Sequence, residues 1–251
     1  MIDAVWQARA VWAILLAAPV TAAVLVFISA PYGRQARGGW GPVLPGRLGW
    51  LAMEWPTLVV FGAVFLEGSH RHDPVPMLLA AMWLGHYVHR TLIFPWRLRS
   101  TKPIPVVVAL LAMSFQALNS YANAAWIAEL GNYSGGFGRA SLWLGCGLFL
   151  VGQGINLHAD TVLIGLRKPG ETGYHIPRGG AFRWVTNANY LGEIVAWIGW
   201  AVATWSLAGL AFAAYTAANL APRAATHHRW YQETFKEQYP AERKVLVPGL
   251  W

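Results

Sequence analysis

The sequence predicts an all-α integral membrane protein of seven transmembrane helices, with its N-terminus outside and its C-terminal tail cytoplasmic. Three observations carry this expectation. Of the 251 residues, 56% are hydrophobic and only 12% are charged. Soluble domains carry about 25% charged residues, so the charge deficit decides the class. Long apolar runs recur along the chain, and the basic residues gather in alternate connections between them.

The first run extends from Ala10 to Ala30. It exceeds the apolar segment of a secretory signal and no basic leader precedes it, so it reads as the first membrane helix. Gly38-Gly39-Trp40-Gly41-Pro42 and Pro45-Gly46 then break the chain before a second run, Leu51 to Leu66. A short turn over His70 to Pro76 leads to the third, Met77 to Phe94, and the fourth covers Ile104 to Ala128. After another turn, Gly131 to Gly138, the fifth spans Leu142 to Ile155. The run from Ile194 to Leu220 is too long for one span of about 20 residues and too short for two full ones. A division near Ser206-Leu207-Ala208-Gly209 makes it helices six and seven. Helix seven continues past the membrane, because Arg223, His227, Trp230 and Tyr231 keep helical spacing; Pro222 is expected to bend it.

Charge tests this count. Arg34, Arg37 and Arg47 fall between helices one and two, and Arg97, Arg99 and Lys102 follow helix three. Arg167, Lys168, Arg178 and Arg183 follow helix five; Arg223, Arg229, Lys236, Arg243 and Lys244 follow the seventh. These are 15 of the 19 Lys and Arg residues, all on one side if the spans number seven. The formal net charge of +8 thus reflects topology, and its spread over four segments argues against nucleic-acid binding. Cys146 is the lone cysteine, which excludes a disulfide framework. The chain reads as one domain over 1–251, with no repeat, no long linker and no segment that asks for an obligate protein partner.

Candidate chemistry concentrates in a few places. Asn156 and Asp160 lie one turn apart at the end of helix five, and Asn189 and Glu193 repeat that arrangement at the start of helix six. Such pairs can serve as interhelical hydrogen bonds, but ionisable groups are expensive in lipid, which favours a ligand. The intervening loop, with Pro169-Gly170, Gly173, Pro177 and Gly179-Gly180, suits a backbone that approaches a ligand closely. Glu54 in helix two and Tyr87 in helix three could donate together to a substrate carbonyl; alternatively Glu54 pairs with Arg90. The histidine pairs His70/His72, His86/His89 and His227/His228 do not converge into a metal site. Gly152-Gln153-Gly154 lacks both the third glycine and the strand context of a dinucleotide fingerprint.

The motifs GINLHAD (154–160), LRKPGETGYHIPRGGAF (166–182), NANYLGE (187–193), WSLAGLAFA (205–213), RAATHHRWY (223–231), HYVHRTLIFP (86–95) and MEWP (53–56), with the ending FKEQYPAERKVLVPGLW, resemble the steroid 5α-reductase (3-oxo-5-alpha-steroid 4-dehydrogenase) family. The resemblance runs from about Tyr32 to the C-terminus, and the half from about 105 to 251 holds most of the implied cofactor site. It implies seven membrane helices, NADPH as hydride donor, and reduction of the C4–C5 double bond of 3-oxo-Δ4-steroids or related lipid enones to 5α products. By motif, Glu54 and Tyr87 would contact the substrate carbonyl, with Trp50 and Met53 beside them in the substrate site. Asn156, Asp160, Arg167, Tyr174, Asn189, Glu193, Arg223, His227, Tyr231, Arg243 and Arg34 would hold the cofactor. Two positions depart from the family: Met53 replaces the glutamine usual in animal members, and His175 replaces a usual arginine. A bacterial inner membrane is the expected location, or the endoplasmic reticulum in a eukaryote, with membrane lipids and the lipid substrate as partners. An isoprenylcysteine-type methyltransferase using S-adenosylmethionine is the alternative, because its C-terminal arrangement is similar.

Overall fold

The computed structural model describes residues 2–99, 101–168, 171 and 173–251; the expected Pro169-Gly170 break lies outside the described residues. Seven helical segments lie where the apolar runs place them. The first is α1 (Ala4–Phe27), capped by Asp3, whose carboxylate accepts from the Val5 and Trp6 amides at 2.7 and 3.0 Å. It begins earlier than the apolar run because Val5 and Trp6 are also apolar and exposed on its outer face. The second segment divides at Trp55 into α2 (Gly46–Glu54) and α3 (Pro56–Glu67). Pro56 takes the first helical position of α3, where a missing N–H costs nothing. Glu54 therefore ends one short helix at the break, in the middle of the second segment.

The third segment comprises α4 (Pro74–Val88), a π turn (His89–Ile93) and α5 (Phe94–Arg97). The fourth is α6 (Val106–Ala125), closed by a second π turn, Trp126–Leu130. A two-residue antiparallel ladder pairs Val43 with Pro105 and Leu44 with Ile104, tying the approach to α2 against the start of α6. The fifth segment, α7 (Ala140–Gly165), runs well beyond Ile155, so the whole GINLHAD motif is helical. The sixth, α8 (Ala188–Thr204), starts before Ile194 and includes Asn189 and Glu193.

The divided run breaks where it is expected to. Trp205 adopts a left-handed conformation (φ 48°), and Ser206 caps the next helix by accepting from the Gly209 amide at 2.8 Å. A non-glycine residue in that region is strained, so the sharp reversal is imposed by the packing on either side. The seventh segment, α9 (Leu207–Phe235), is one continuous helix with Pro222 inside it.

Among the described residues, four segments are long and apolar enough to cross a membrane: Ala4–Phe27, Gly46–Glu67, Val106–Leu130 and Ala140–Gly165. Large apolar side chains such as Trp12, Leu16, Leu111, Leu144 and Leu150 stand exposed on them, an arrangement that hydrocarbon, not water, accommodates. The interior is an aromatic cluster around Trp83, Trp197, Trp200, Phe61 and Phe212, with Tyr87 at its edge. The closest helix pair is α7–α8. A methyl group added at Gly152 would collide with the backbones of Gly192 and Ala196, and one at Gly192 with that of Asn156. Small residues there let the two backbones touch, and this approach sets the polar faces of α7 and α8 against each other.

Candidate active site

A cavity of about 620 Å³ opens among α2, the π turn after α4, α7, the 173–187 connection and the outer half of α9. That volume falls in the range of small-molecule and cofactor sites, about 300–1,000 Å³. Its lining is strongly cationic: Arg34, Arg90, Arg99, Lys102, Arg167 and Arg223 face Asp160, the single carboxylate among the lining residues described. Tyr32, Trp50, Phe94, Tyr174, Phe182, Tyr190 and Tyr231 supply flat apolar walls.

The paired motifs meet across α7 and α8 in interhelical hydrogen bonds, the alternative to a ligand. Asn156 donates to the Asn189 carbonyl at 3.0 Å, and Asn189 donates to Asp160 at 3.4 Å. Arg90, projecting from the π turn, reaches Asp160 at 3.4 Å and Glu193 at 3.9 Å. Its guanidinium also lies 4.8 Å from the ring centroids of both Trp50 and Phe94. A π turn widens the helix locally, which lets Arg90 leave α4 toward α7 and α8. Arg90 thus hydrogen-bonds Asp160 and pairs at longer range with Glu193, while Glu54 accepts a hydrogen bond from Gln116 at 2.9 Å. The simple Glu54–Arg90 pair considered from sequence is replaced by this division, because each carboxyl group takes the donor its own helix face presents.

Arg34 is enclosed by aromatic rings. Its guanidinium lies 4.4 Å from the Trp230 ring, 4.3 Å from that of Tyr231 and 5.2 Å from that of Tyr174. Nη2 donates to the Tyr231 hydroxyl at 2.8 Å, whereas Nη1 is buried without a hydrogen-bond partner. Arg167 stacks on Tyr174 at 4.6 Å and donates to the Gly173 carbonyl at 2.9 Å. Arg223 donates to the Tyr32 hydroxyl and lies over its ring. His227 meets the Asn187 carboxamide at 3.3 Å, and Asn187 is in turn anchored to the Ala224 and Val245 carbonyls. At the loop, the Lys168 amide donates to Glu171, which His175 contacts at 2.6 Å; these bonds lower the Glu171 carboxyl below its ordinary value of 4.5.

Of the residues singled out in the sequence, Arg34, Trp50, Asp160, Arg167, Tyr174, Asn189, Arg223, His227 and Tyr231 line the cavity. Glu54, Tyr87, Met53, Asn156, Glu193 and Arg243 do not. Asn156 and Glu193 stand directly behind it, holding Asn189 and Arg90. Met53 is packed with Ile104 and Ala109. Arg243 is buried one layer back, over the Tyr239 ring, which itself stacks on Tyr231 at 5.5 Å. Glu54 and Tyr87 are outside the lining. Trp50 is one helical turn before Glu54, and Arg90 one turn after Tyr87, so the cavity wall ends beside both. Sequence reasoning missed Tyr32, Arg99, Lys102, Asn187, Tyr190 and Gln116. A polar face on α6 (Gln116, Asn119, Ser120, Asn123) is visible at helical spacing and could have revealed the last.

Fold and site together define a membrane-embedded enzyme, with an anion-seeking cavity at the edge of an aromatic core. The model of the family 3-oxo-5-alpha-steroid 4-dehydrogenase matches residues 102–251. The steroid 5-alpha-reductase DET2 of Gossypium hirsutum is 43% identical, covering 90% of each chain; that of Arabidopsis thaliana is 42% identical over 95% of this chain and 94% of its own. The 3-oxo-5-alpha-steroid 4-dehydrogenase 1 of Bos taurus is 41% identical over 90% of each. The chain belongs to the steroid 5-alpha-reductase family and is an oxidoreductase acting on CH–CH groups. These relatives are plant and animal proteins and give no support to a bacterial source.

Proposed function

We propose that this protein reduces the C4–C5 double bond of a 3-oxo-Δ4-steroid, or a lipid enone of the same shape, to the 5α product with NADPH as donor. The observation that carries the reading is the cationic cavity, whose lining includes Trp50 and Arg90, one helical turn from Glu54 and from Tyr87 respectively. The residues fit a dinucleotide: Arg34 keeps one buried nitrogen unpartnered, and Arg99, Lys102, Arg167 and Arg223 surround the same space. Arginine suits phosphate through its paired donors, including the 2′-phosphate that distinguishes NADPH. Tyr174, Tyr190 and Tyr231 offer flat faces, and Asn189 and Asp160 offer carboxamide and carboxylate partners.

NADPH bound there supplies the hydride, which the protein has no group to provide. The chain's own contribution is to polarise and to exclude water. Tyr87 and protonated Glu54 donate hydrogen bonds to the 3-oxo group, stabilising the enolate charge that develops as C5 is reduced. A proton delivered to C4 restores the ketone, so the reaction consumes one NADPH and one proton per double bond. The Trp83–Trp197 aromatic cluster around Tyr87 keeps bulk water from that charge, which strengthens both hydrogen bonds. Seven spans with a cytoplasmic C-terminus set the cavity toward the cytoplasmic side, where the coenzyme is found. Accordingly α4, α8 and α9 are the remaining spans.

Deuterated NADPH and a panel of 3-oxo-Δ4-steroids test this reading with the purified protein in lipid nanodiscs. Deuterium at C5 of a 5α product is expected. No NADPH consumption on any enone, with thermal stabilisation by S-adenosylmethionine and none by NADPH, would move the assignment to the methyltransferase class.

A further inference from the structure

Gln116 stands on the polar face of α6 and sends its carboxamide across to the break between α2 and α3. Its Nε2 donates to Glu54 Oε2 at 2.9 Å. Its Oε1 is buried and has no hydrogen-bond partner. The same carboxamide stands next to the Tyr87 phenol. Met53, the residue before Glu54, turns away into Ile104 and Ala109 and brings no polar atom to the carboxyl group.

A buried carboxamide with one arm unsatisfied carries a cost of about 1–3 kcal/mol, so its retention needs a reason. The geometry supplies one. An oxygen that accepts from an amide N–H is the carbonyl oxygen of a protonated carboxyl group, because the hydroxyl oxygen would present a hydrogen to a hydrogen. With Oε2 committed to Gln116, the proton of neutral Glu54 resides on Oε1. Gln116 Oε1 has no partner of its own, so the carboxamide is held in place by the bond that its Nε2 makes to Glu54. Gln116 does not touch the reacting carbons; it orients the Glu54 carboxyl group that works on the carbonyl.

We propose that Gln116 is a positioning residue that fixes the Glu54 carboxyl group and selects which of its oxygens bears the proton. This inference rests on the enone-reductase reading above. Other charged groups near Glu54 are Arg90 from the π turn and Glu193 from α8, and neither forms a hydrogen bond to it. The orientation of its carboxyl group is therefore left to Gln116.

The experiment compares wild type, Gln116→Leu and the closely isosteric Gln116→Met in nanodiscs, with a 3-oxo-Δ4-steroid and with NADPH or its deuterated form. Both variants are expected to lose about 10- to 100-fold in kcat, the usual scale for misdirected catalytic groups. The NADPH Kd should stay within about twofold of wild type. The deuterium isotope effect on kcat should rise, because hydride transfer becomes more rate-limiting. A variant that is merely misfolded has fewer active molecules but an unchanged isotope effect. Unchanged kcat in both variants overturns the inference, as does a loss with no rise in isotope effect. An inactive wild type with every enone sinks the functional reading instead, so the two failures are distinguishable.

Discussion

Replacing Arg34 with alanine isolates the cofactor half of the proposed site. Arg34 contributes one satisfied bond, Nη2 to the Tyr231 hydroxyl at 2.8 Å, and one buried open donor, Nη1. A phosphate oxygen on Nη1 would form a charge-assisted hydrogen bond, worth about 1.5–3 kcal/mol. At about 1.4 kcal/mol per decade, its loss raises the NADPH Kd by roughly 10- to 100-fold. The aromatic cage adds a second consequence. The guanidinium ties Gly33–Gln35 to Trp230 and Tyr231 on α9, and each cation–π contact is worth about 0.5–2 kcal/mol. The variant should therefore also melt a few degrees lower. Arg34→Lys keeps the charge and loses the planar fork, so its Kd should fall between those of wild type and alanine. Fluorescence titration of NADPH into nanodisc-embedded protein measures all three. A Kd for Arg34→Ala within twofold of wild type, with the fold intact, would refute the placement of a phosphate beside this arginine.

Three further outcomes are expected. Tyr87→Phe should lower kcat by about 100-fold or more while leaving the NADPH Kd unchanged, since one donor to the developing oxyanion is typically worth that much; steady-state kinetics with separate cofactor titration checks it. Gly192→Ala should destabilise the protein by about 1–3 kcal/mol, because the added methyl group drives into the Asn156 backbone and separates α7 from α8, and thermal unfolding in detergent reads the shift. At the loop, the Glu171 carboxyl lies below its ordinary 4.5, held there by the Lys168 amide and then by His175. A depressed carboxyl contributes order above 4.5 and loses it as the pH falls through the lower folded value. Exchange of the Lys168 amide should quicken in that acid window in wild type and be fast at all pH values in Glu171→Ala.

How much of this was readable beforehand follows from which interactions are local. The Asn156/Asp160 and Asn189/Glu193 faces were legible because a spacing of four fixes a common helix face whatever the tertiary structure. The reversal at Trp205–Ser206 was legible from length alone. The contents of the cavity followed less directly. Spacing set Arg223, His227 and Tyr231 on one helical stretch, but their cofactor roles, with Arg34, Arg167 and Tyr174, came from motif resemblance, and neither composition nor periodicity brings position 34 beside position 231. Gln116 was missed because its partner is 62 positions away, and a polar face on a membrane helix can equally serve helix–helix hydrogen bonds. Arg243 shows the converse limit. Its motif was clear, yet the side chain is buried behind Tyr239 and supports the wall instead of forming it.

Arg90 decides whether the two halves of the proposed site are separate. Its guanidinium meets Asp160 of α7 and Glu193 of α8 and lies over Trp50 of α2, while the Arg90 backbone carbonyl accepts from the Trp50 indole N–H at 3.0 Å. One residue thus joins the elements that line the cavity to the helix that ends in Glu54. Lysine in its place keeps the charge but cannot bond two carboxylates and lie flat on an indole at once. A buried charge that loses part of its pairing costs several kcal/mol, so the surroundings would rearrange instead of leaving it in place. Arg90→Lys should then move NADPH affinity and kcat together, each by about 10-fold or more, whereas Arg34→Ala moves mainly the first and Tyr87→Phe only the second. A Michaelis analysis in which Arg90→Lys altered one quantity alone would show that cofactor and carbonyl are held by independent parts of the fold.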